Sequence, residues 1–242
     1  MSLARWFTLA FAVALVGVVV WTWRDVAVKP KSPVSKVTIG RHDGVYFSDG
    51  AKASDALALG RALQECGYFT DKGAVVMLSR GDDGSIVSFV LGAGAWDDPK
   101  AIAALEQIGR VIAPAIGGYP VVLHLVDARW MGHKSLLVGK LMVGAHDAVY
   151  YFGGATEGNA VALGGALRKV GYLADTGSTV AIWKDGETAL GFVVTDGVWA
   201  RQDAVNGFER LARAVAPSVG GLPVRMRLLS GAMEIKDEVE VR

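Results

Sequence analysis

At 242 residues the chain is longer than one typical domain, and 52% apolar residues with 31 glycines and 7 prolines are typical of a packed protein rather than a disordered one. The first 35 residues hold four bases and one acid, which leaves 21 bases and 23 acids in the rest, so the body lacks the basic surface that nucleic-acid binding requires. The single cysteine, Cys66, excludes an intrachain disulfide and a thiolate metal cage.

Residues 6–23 predict a transmembrane helix. This run (WFTLAFAVALVGVVVWTW) contains no charged residue, and at about 1.5 Å per residue it is long enough to cross the hydrocarbon core of a bilayer. Tryptophans stand at both ends, and Arg5 and Arg24 close the run. A cleaved signal peptide is the competing interpretation, but the run ends in bulky residues rather than in a small-residue cleavage site. We therefore expect a retained single-pass anchor in residues 1–24, which contacts lipid through residues 6–23.

The charges beside the anchor leave its orientation open. More bases follow the span than precede it, which favours a cytoplasmic body by the positive-inside rule, yet long domains can be translocated despite such charges. We expect the protein in a bacterial inner membrane, with its soluble body on either side. Residues 25–35 contain Pro30 and Pro33 and predict a semi-extended linker.

The remainder of the chain contains an internal duplication. The segment GRHDGVY that starts at Gly40 recurs as GAHDAVY from Gly144, an offset of 104 residues, and ALGRAL recurs as ALGGAL at the same offset. After a one-residue deletion, the AP, GG and PV pairs that end each copy continue the match at an offset of 103. A match of this length with one gap indicates two tandem units, which we place at residues 36–135 and 136–242.

Each copy predicts the order strand, helix, strand, strand, helix, strand. In the first copy the helices cover residues 55–66, ended by Gly67, and a segment from Asp97 or Asp98 to Pro114, and the strands cover residues 45–47, 75–78, 86–91 and 121–126. This order resembles the ferredoxin-like sandwich, in which two helices cover one face of a four-stranded sheet. We therefore expect an α+β fold with an N-terminal transmembrane helix and two tandem βαββαβ, ferredoxin-like repeats, with antiparallel sheets and helices on one face.

The C-terminal tail predicts one further strand. Residues 235–241 (IKDEVEV) alternate apolar and charged residues, which is typical of an edge strand protected by charge. The counterpart of the tail in the first copy is residues 134–138, which run directly into the second copy and are expected to act both as linker and as strand.

Two repeated His-Asp pairs are weak candidates for catalytic residues: His42 with Asp43, and His146 with Asp147. Such pairs are where metal or acid–base chemistry is sought. However, adjacent residues on a strand point to opposite faces, so the two side chains of a pair do not converge. The remaining histidines lack a counterpart in the other copy and the spacing of metal ligands; they are His124 and His133. We interpret the pairs as turn residues and expect neither a metal nor a cofactor.

Trp96 and Trp199 are weak candidates for ligand binding. Each follows a predicted strand and precedes the second helix of its copy, where an indole could stack on a ligand. The preferred interpretation is that each tryptophan fills the seam between helix and sheet.

Gly60 and Gly164 stand inside predicted helices, where glycine is about 1 kcal/mol less favourable than alanine. Their recurrence therefore predicts close packing of each helix, either against the sheet beneath it or against the matching helix of the other copy.

The sequence favours a membrane-anchored, non-catalytic binding or assembly module, with a protein partner or self-association and no nucleic acid. Both copies keep their turn, cap and core residues, whereas their polar residues diverge: residues 97–100 read DDPK and residues 200–203 read ARQD. The alternative is an enzyme or a small-ligand sensor with a site in the groove between the repeats, which would use His42, Asp43 and Trp96 with their counterparts.

Overall fold

The structure is a computed structural model that describes residues 32–81 and 84–242. The predicted anchor, residues 6–23, and most of the predicted linker, residues 25–35, lie outside the described residues. Among the residues that are described, none belongs to a helix that is both long and apolar enough to cross a membrane.

The described residues form eleven strands and four α-helices. The strands are β1 (Ser35–Ile39), β2 (Asp43–Phe47), β3 (Val75–Gly81), β4 (Gly84–Val90), β5 (Val121–Val126), β6 (Gly132–Val143), β7 (Asp147–Gly153), β8 (Thr179–Asp185), β9 (Glu187–Val193), β10 (Val224–Leu229) and β11 (Ile235–Val241). The helices are α1 (Ala53–Glu65), α2 (Pro99–Ile112), α3 (Glu157–Lys169) and α4 (Gln202–Val215). Short 3-10 turns cover Ala113–Ile116, Val198–Ala200 and Ala216–Val219.

The chain divides into two compact units. Residues up to Ile108, together with Leu123–Ser135, form the first unit, and Gly109–Val122 with Leu136–Arg242 form the second. The second unit therefore includes the end of α2 and the turn that precedes β5. The repeat limits expected from the sequence, residues 36–135 and 136–242, stay a prediction.

The helices α1 and α3 begin in the same way. The backbone N–H of the residue before each helix donates to a side chain three residues later: Lys52 to Asp55 Oδ2 at 3.2 Å, and Thr156 to Asn159 Oδ1 at 3.1 Å. These bonds satisfy backbone groups that a helix start leaves unpaired. At the other end of α1, Gly67 has a left-handed φ of 78°, which confirms the glycine cap predicted there.

The ferredoxin-like prediction, with its antiparallel sheets, is wrong. In the second unit β7 pairs with β8 in parallel, β8 with β9 antiparallel, β9 with β10 in parallel and β10 with β11 antiparallel. The strands β1 to β4 of the first unit likewise pair in chain order, antiparallel, parallel and antiparallel. Each unit is thus built on a mixed sheet of sequential neighbours, whereas a ferredoxin-like sheet interleaves its strands.

The handedness of the crossovers distinguishes this sheet from a ferredoxin-like one. Helices α3 and α4 pack against each other and share one core with β7 to β11, so they cover the same face of the sheet. The β7–α3–β8 and β9–α4–β10 connections step across the sheet in the same direction, but their strands run in opposite directions. One connection must therefore be left-handed, although about 98% of such crossovers are right-handed. A ferredoxin-like order avoids this conflict.

The helix glycines of each copy approach a strand. A Cβ built on Gly60 would lie 2.5 Å from Ile39 Cγ1 on β1 and closer still to its Cδ1, whereas a Cβ on Gly164 would lie 3.0 Å from Val143 Cγ2 on β6. A Cβ on Gly165 would meet nothing within 4 Å. Close packing is thus present at both repeated glycines and is tighter in the first copy.

Candidate functional site

Asp43 and Asp147 are buried at equivalent strand starts, and each holds a loop of its own copy. Asp43 Oδ2 accepts a hydrogen bond from the backbone N–H of Asp71 (2.7 Å), and Asp43 Oδ1 accepts from Gly73 and Ala74 (2.8 Å each). Asp147 accepts from three equivalent N–H groups at 2.7, 2.9 and 2.7 Å, which belong to Asp175, Gly177 and Ser178. The exposed fraction is 1% for Asp43 and 0% for Asp147, so both carboxylates are closed to solvent.

The carboxylate of Asp71 in turn binds the backbone of the loop that precedes Asp43. Asp71 Oδ1 accepts from the backbone N–H groups of Arg41 (2.7 Å) and His42 (2.8 Å), and His42 Nδ1 lies 3.4 Å from the same oxygen. A Cβ built on Gly40 would lie 2.9 Å from this oxygen, so the glycine leaves room for the carboxylate. In the second copy, Asp175 Oδ1 accepts from the backbone N–H groups of Ala145 (2.8 Å) and His146 (2.7 Å), and His146 Nδ1 lies 3.4 Å from the same oxygen. We call each pair, Asp43 with Asp71 and Asp147 with Asp175, a paired-aspartate lock.

The paired-aspartate locks also set the electrostatics of their surroundings. The backbone N–H groups of Arg41 and His42 hold the pKa of Asp71 below its usual value, because they stabilise the charged carboxylate. Burial, with a smaller contribution from the charge of Asp43, raises the pKa of Tyr68 to about 12. In the second copy the pKa of Asp175 is likewise lowered, and that of Tyr172 is raised to about 12.

The structure places each predicted catalytic histidine beside the aspartate of the facing loop, not beside its neighbour in sequence. The exposed fraction of the histidine side chain is 64% for His42 and 69% for His146. In Asp43 and Asp147, by contrast, both carboxylate oxygens accept hydrogen bonds from backbone N–H groups. A carboxylate bound in this way is badly placed to exchange a proton with a substrate. The geometry therefore assigns these residues the task of holding loops, and a catalytic role for them stays a prediction.

Trp96 belongs to a second cluster, which lies in the first unit. Its indole stacks on the imidazole of His133, with ring centroids 3.7 Å apart and an angle of 2° between the planes. His133 Nε2 in turn lies 3.7 Å from Asp127 Oδ2. Trp96 is half-buried and the His133 side chain is 29% exposed, so part of the stack is accessible from solvent. We call these three side chains the Trp96 cluster.

Asp127 is positioned by the turn between β5 and β6. Its Oδ1 accepts from the backbone N–H groups of Arg129 (2.8 Å) and Met131 (2.9 Å), which leaves Oδ2 directed toward His133. The N–H of Met131 contributes most to lowering the pKa of Asp127. Sequence reasoning missed this contact, although an aspartate directly after a predicted strand is a signal for a turn folded around its carboxylate.

Trp199 does not reproduce the Trp96 cluster. It lies in the 3-10 turn Val198–Ala200 and packs against the hydrophobic core of the second unit. The residue that corresponds to His133 is Lys236, whose Nζ lies 2.7 Å from Glu234 Oε2. The two tryptophans, equivalent in sequence, therefore have different surroundings, and only Trp96 presents a stacked, solvent-facing arrangement.

The second unit carries a ladder of aromatic and charged side chains across neighbouring strands. The ring of Phe152 stacks between Tyr150 (6.2 Å) and Trp183 (5.1 Å), and Arg227 lies 5.1 Å from the Trp183 ring. Glu238 accepts from Arg227 at 2.6 Å. The Arg227–Glu238 ion pair joins the adjacent strands β10 and β11, whereas the Arg227–Trp183 contact reaches across β9 to β8.

Beside this ladder lies an open cavity of about 280 Å³ whose lining includes Gly220, Gly221, Arg225 and Glu240. Arg225 donates to Glu187 and to Glu238, and these carboxylates raise its pKa. The cationic group of the cavity is thus already neutralised by its neighbours, which gives the cavity little attraction for an anion.

Residues 32–81 and 84–242 contain no group of three or more His, Cys, Asp or Glu side chains arranged to hold a metal ion. His124 lies on β5 with its Nδ1 buried and without a hydrogen-bond partner among these residues, and burial lowers its pKa.

Comparison of the chain with protein-family models, with curated proteins and with solved structures finds no match.

Proposed function

We propose that the protein is a membrane-tethered, non-catalytic binding or assembly module. The observation that carries this proposal is the use of the repeated polar residues in the paired-aspartate locks. In both copies the buried carboxylate accepts three backbone N–H groups, and the facing carboxylate accepts two more. The chemistry that the duplication retains therefore maintains two loops of the fold, as a scaffold requires.

The Trp96 cluster is the recognition surface that we assign to this module. It combines a half-buried aromatic ring, a half-buried imidazole and a carboxylate, which is a combination that interfaces favour. The second copy lacks the cluster, so it is not needed to hold the shared fold. Specialisation of one copy after duplication accounts for this difference.

Membrane attachment through residues 6–23 is the second part of the proposal. Its support is the uncharged eighteen-residue run and its flanking tryptophans and arginines. A short linker then joins the anchor to β1. The tether would hold the recognition surface within a short distance of the bilayer.

Photo-crosslinking of the full chain in its membrane tests the assigned surface. A crosslinking side chain placed at position 133 should give a discrete protein adduct, and one at Arg168, an exposed position on α3, is the matched control. Trp96→Ala should lower the yield of the adduct by about tenfold or more, because truncation of an aromatic anchor commonly removes 1–3 kcal/mol of binding free energy. A folded protein that gives the same products from both positions, or none from position 133, would contradict the assignment.

The alternative, an enzyme or a small-ligand sensor, is favoured by one observation, the contact of His133 with Asp127. A His-carboxylate contact beside an aromatic ring could bind a small molecule or move a proton. A small molecule bound by the purified protein and lost in His133→Ala, with no protein adduct from position 133, would favour this alternative.

A further inference from the structure

We propose that two copies of this chain associate through their β1 strands, which pair antiparallel about a twofold axis at Val37. This inference rests on the proposed assembly function and names the partner, a second copy, and the surface that it uses. The surface is distinct from the Trp96 cluster.

Within residues 32–81 and 84–242, the strand β1 has a free edge. In the part of the chain that the structure describes, β1 pairs only with β2 and stands at the end of the strand order. Ser35, Lys36 and Thr38 are exposed. An edge strand of this kind presents backbone N–H and C=O groups that another strand can complete.

The hydrogen bonds of β2 show which groups of β1 face outward. The N–H groups of Gly44 and Ser48 donate toward β3, to Ala74 and Leu78, so the even-numbered residues of β2 pair on that side. The backbone N–H and C=O groups of the odd-numbered residues of β2 therefore form the hydrogen bonds to β1. In the register of the two strands, Val45 stands opposite Val37. It follows that Val37 bonds β2, whereas the N–H and C=O groups of its neighbours Lys36 and Thr38 point to the free edge.

This arrangement is self-complementary. When two β1 strands pair antiparallel about Val37, Lys36 of each copy stands opposite Thr38 of the other, and each pair can exchange two backbone hydrogen bonds. No like charges face each other in this register. A shift that centres the pair on Lys36 would instead oppose two lysines, which is unfavourable. The sequence of β1 thus disfavours the register centred on Lys36.

The other terminal strand, β11, shows by contrast what a protected edge looks like in this protein. It carries Lys236, Glu238 and Glu240, and its pairing with β10 is interrupted by a bulge between Leu228 and Leu229. These are two of the devices by which proteins prevent edge-to-edge pairing. The strand β1 has one charged residue, Lys36, and its Nζ lies 5.4 Å from the ring centroid of Tyr46 on the neighbouring strand. The edge of β1 thus carries a single charge and pairs with β2 in an unbroken register, so it is less protected than the edge of β11.

The position of β1 also favours a second copy as the partner. It begins at Ser35, at the end of the predicted linker, so the edge would lie close to the membrane that anchors the chain. Two anchored copies share one surface, which raises their effective concentration and allows a short strand contact to be populated.

Disulfide crosslinking of the full chain in membranes tests the register. In a Cys66→Ala background, Val37→Cys places two thiols at a directly opposed position, where Cβ atoms are about 4.5–5.5 Å apart. Thr38→Cys is the matched control, because its own counterpart is displaced along the partner strand. We expect a disulfide dimer from Val37→Cys in at least about fivefold higher yield, given the steep distance limits on a disulfide. Equal yields, or no dimer from Val37→Cys, would overturn the proposal.

Charge substitutions supply a test that does not depend on a thiol. Thr38→Lys should weaken self-association in membranes by about tenfold or more, because two lysine pairs then face each other. Adding Lys36→Glu should restore it, since each introduced lysine would then face a glutamate of the other copy. Failure of the double variant to recover association would contradict the register. Adducts from position 133 report on the Trp96 cluster and do not depend on β1. If β1 pairing fails its tests while these adducts persist in a Thr38→Lys protein, this inference is wrong and the proposed function still stands.

Discussion

Asp43 and Asp147 offer the sharpest substitutions at the scale of single residues. We expect Asp43→Asn and Asp147→Asn each to lower the free energy of unfolding by roughly 2–4 kcal/mol, because an amide nitrogen then faces buried N–H donors that lose their acceptor. His42→Asn should change it by less than about 0.5 kcal/mol, since that side chain is exposed. Chemical denaturation measures the change in the free energy of unfolding for each of these variants. A larger effect at His42 than at Asp43 would refute the structural role of the locks.

The same locks predict a dependence on pH. The folded state lowers the pKa of Asp71 and Asp175 from the usual 3.8, so their ionised forms stabilise the fold above that value, and this stability is lost as the pH falls through the lowered pKa. The double variant Asp71→Asn/Asp175→Asn should therefore show a smaller loss of stability than the parent between about pH 5 and about pH 2.

Unfolding curves recorded across this range provide the measurement. Asp203→Asn, at an exposed position on α4, is the control for removing an acid elsewhere. Parallel losses of stability in the parent and the double variant would contradict the prediction.

The sequence identified part of the candidate site at this scale. The repeated His-Asp pairs pointed to the correct loops, but Asp71 and Asp175 follow Asp43 and Asp147 by 28 residues, and their contacts depend on two loops meeting in space. The Trp96 cluster joins Trp96 to the turn between β5 and β6, about thirty residues later, so a scan for local spacing could not assemble it.

At the scale of elements, the helix glycines connect sequence to packing. Ala in place of an exposed helix glycine gains about 1 kcal/mol, whereas overpacking costs roughly 1–3 kcal/mol. We expect Gly60→Ala to be destabilising by up to about 2 kcal/mol, because Ile39 is buried and too close. Gly164→Ala should have a smaller effect, since its Cβ would lie 3.0 Å from Val143. Gly165→Ala, with open space, should be stabilising by about 0.5–1 kcal/mol.

Denaturant titration of the three variants ranks these effects. Gly165→Ala should have a higher free energy of unfolding than the parent protein. Gly60→Ala should have a lower free energy of unfolding than Gly164→Ala. Stabilisation by Gly60→Ala would contradict this prediction, because it would show that Ile39 can move away from the added methyl group without a loss of stability.

Local patterns predicted most elements and failed at the order of the strands. The strand at residues 121–126 and the tail strand at 235–241 were confirmed, and helix 55–66 was observed as Ala53–Glu65. The strand β1 was missed, because SKVTI is short and follows a proline-containing segment. The order of the strands was wrong because pairing is non-local, and the usual handedness rule favours an arrangement that this sheet does not adopt.

At the scale of the whole molecule, we expect the body to fold without its predicted anchor. Ser32 N–H donates to Asp49 Oδ1 at 2.9 Å, and Asp49 N–H donates to Ser32 Oγ at 2.7 Å, so the described structure is secured from its first residue. A fragment of residues 32–242 should therefore be water-soluble and unfold cooperatively, because it keeps these bonds and lacks the apolar run.

A pull-down from membranes that are crosslinked while intact and then solubilised in detergent, performed in parallel on the full chain and on the fragment 32–242, tests the central claim most directly. We predict that the full chain stays in the membrane pellet through an alkaline wash and recovers a second, differently tagged copy or a defined protein partner. The fragment should be soluble, folded and at least about tenfold poorer in recovery, because it loses the concentrating effect of the shared membrane. Release of the full chain by the wash, or equal recovery by chain and fragment, would contradict the claim that this is a membrane-tethered assembly module.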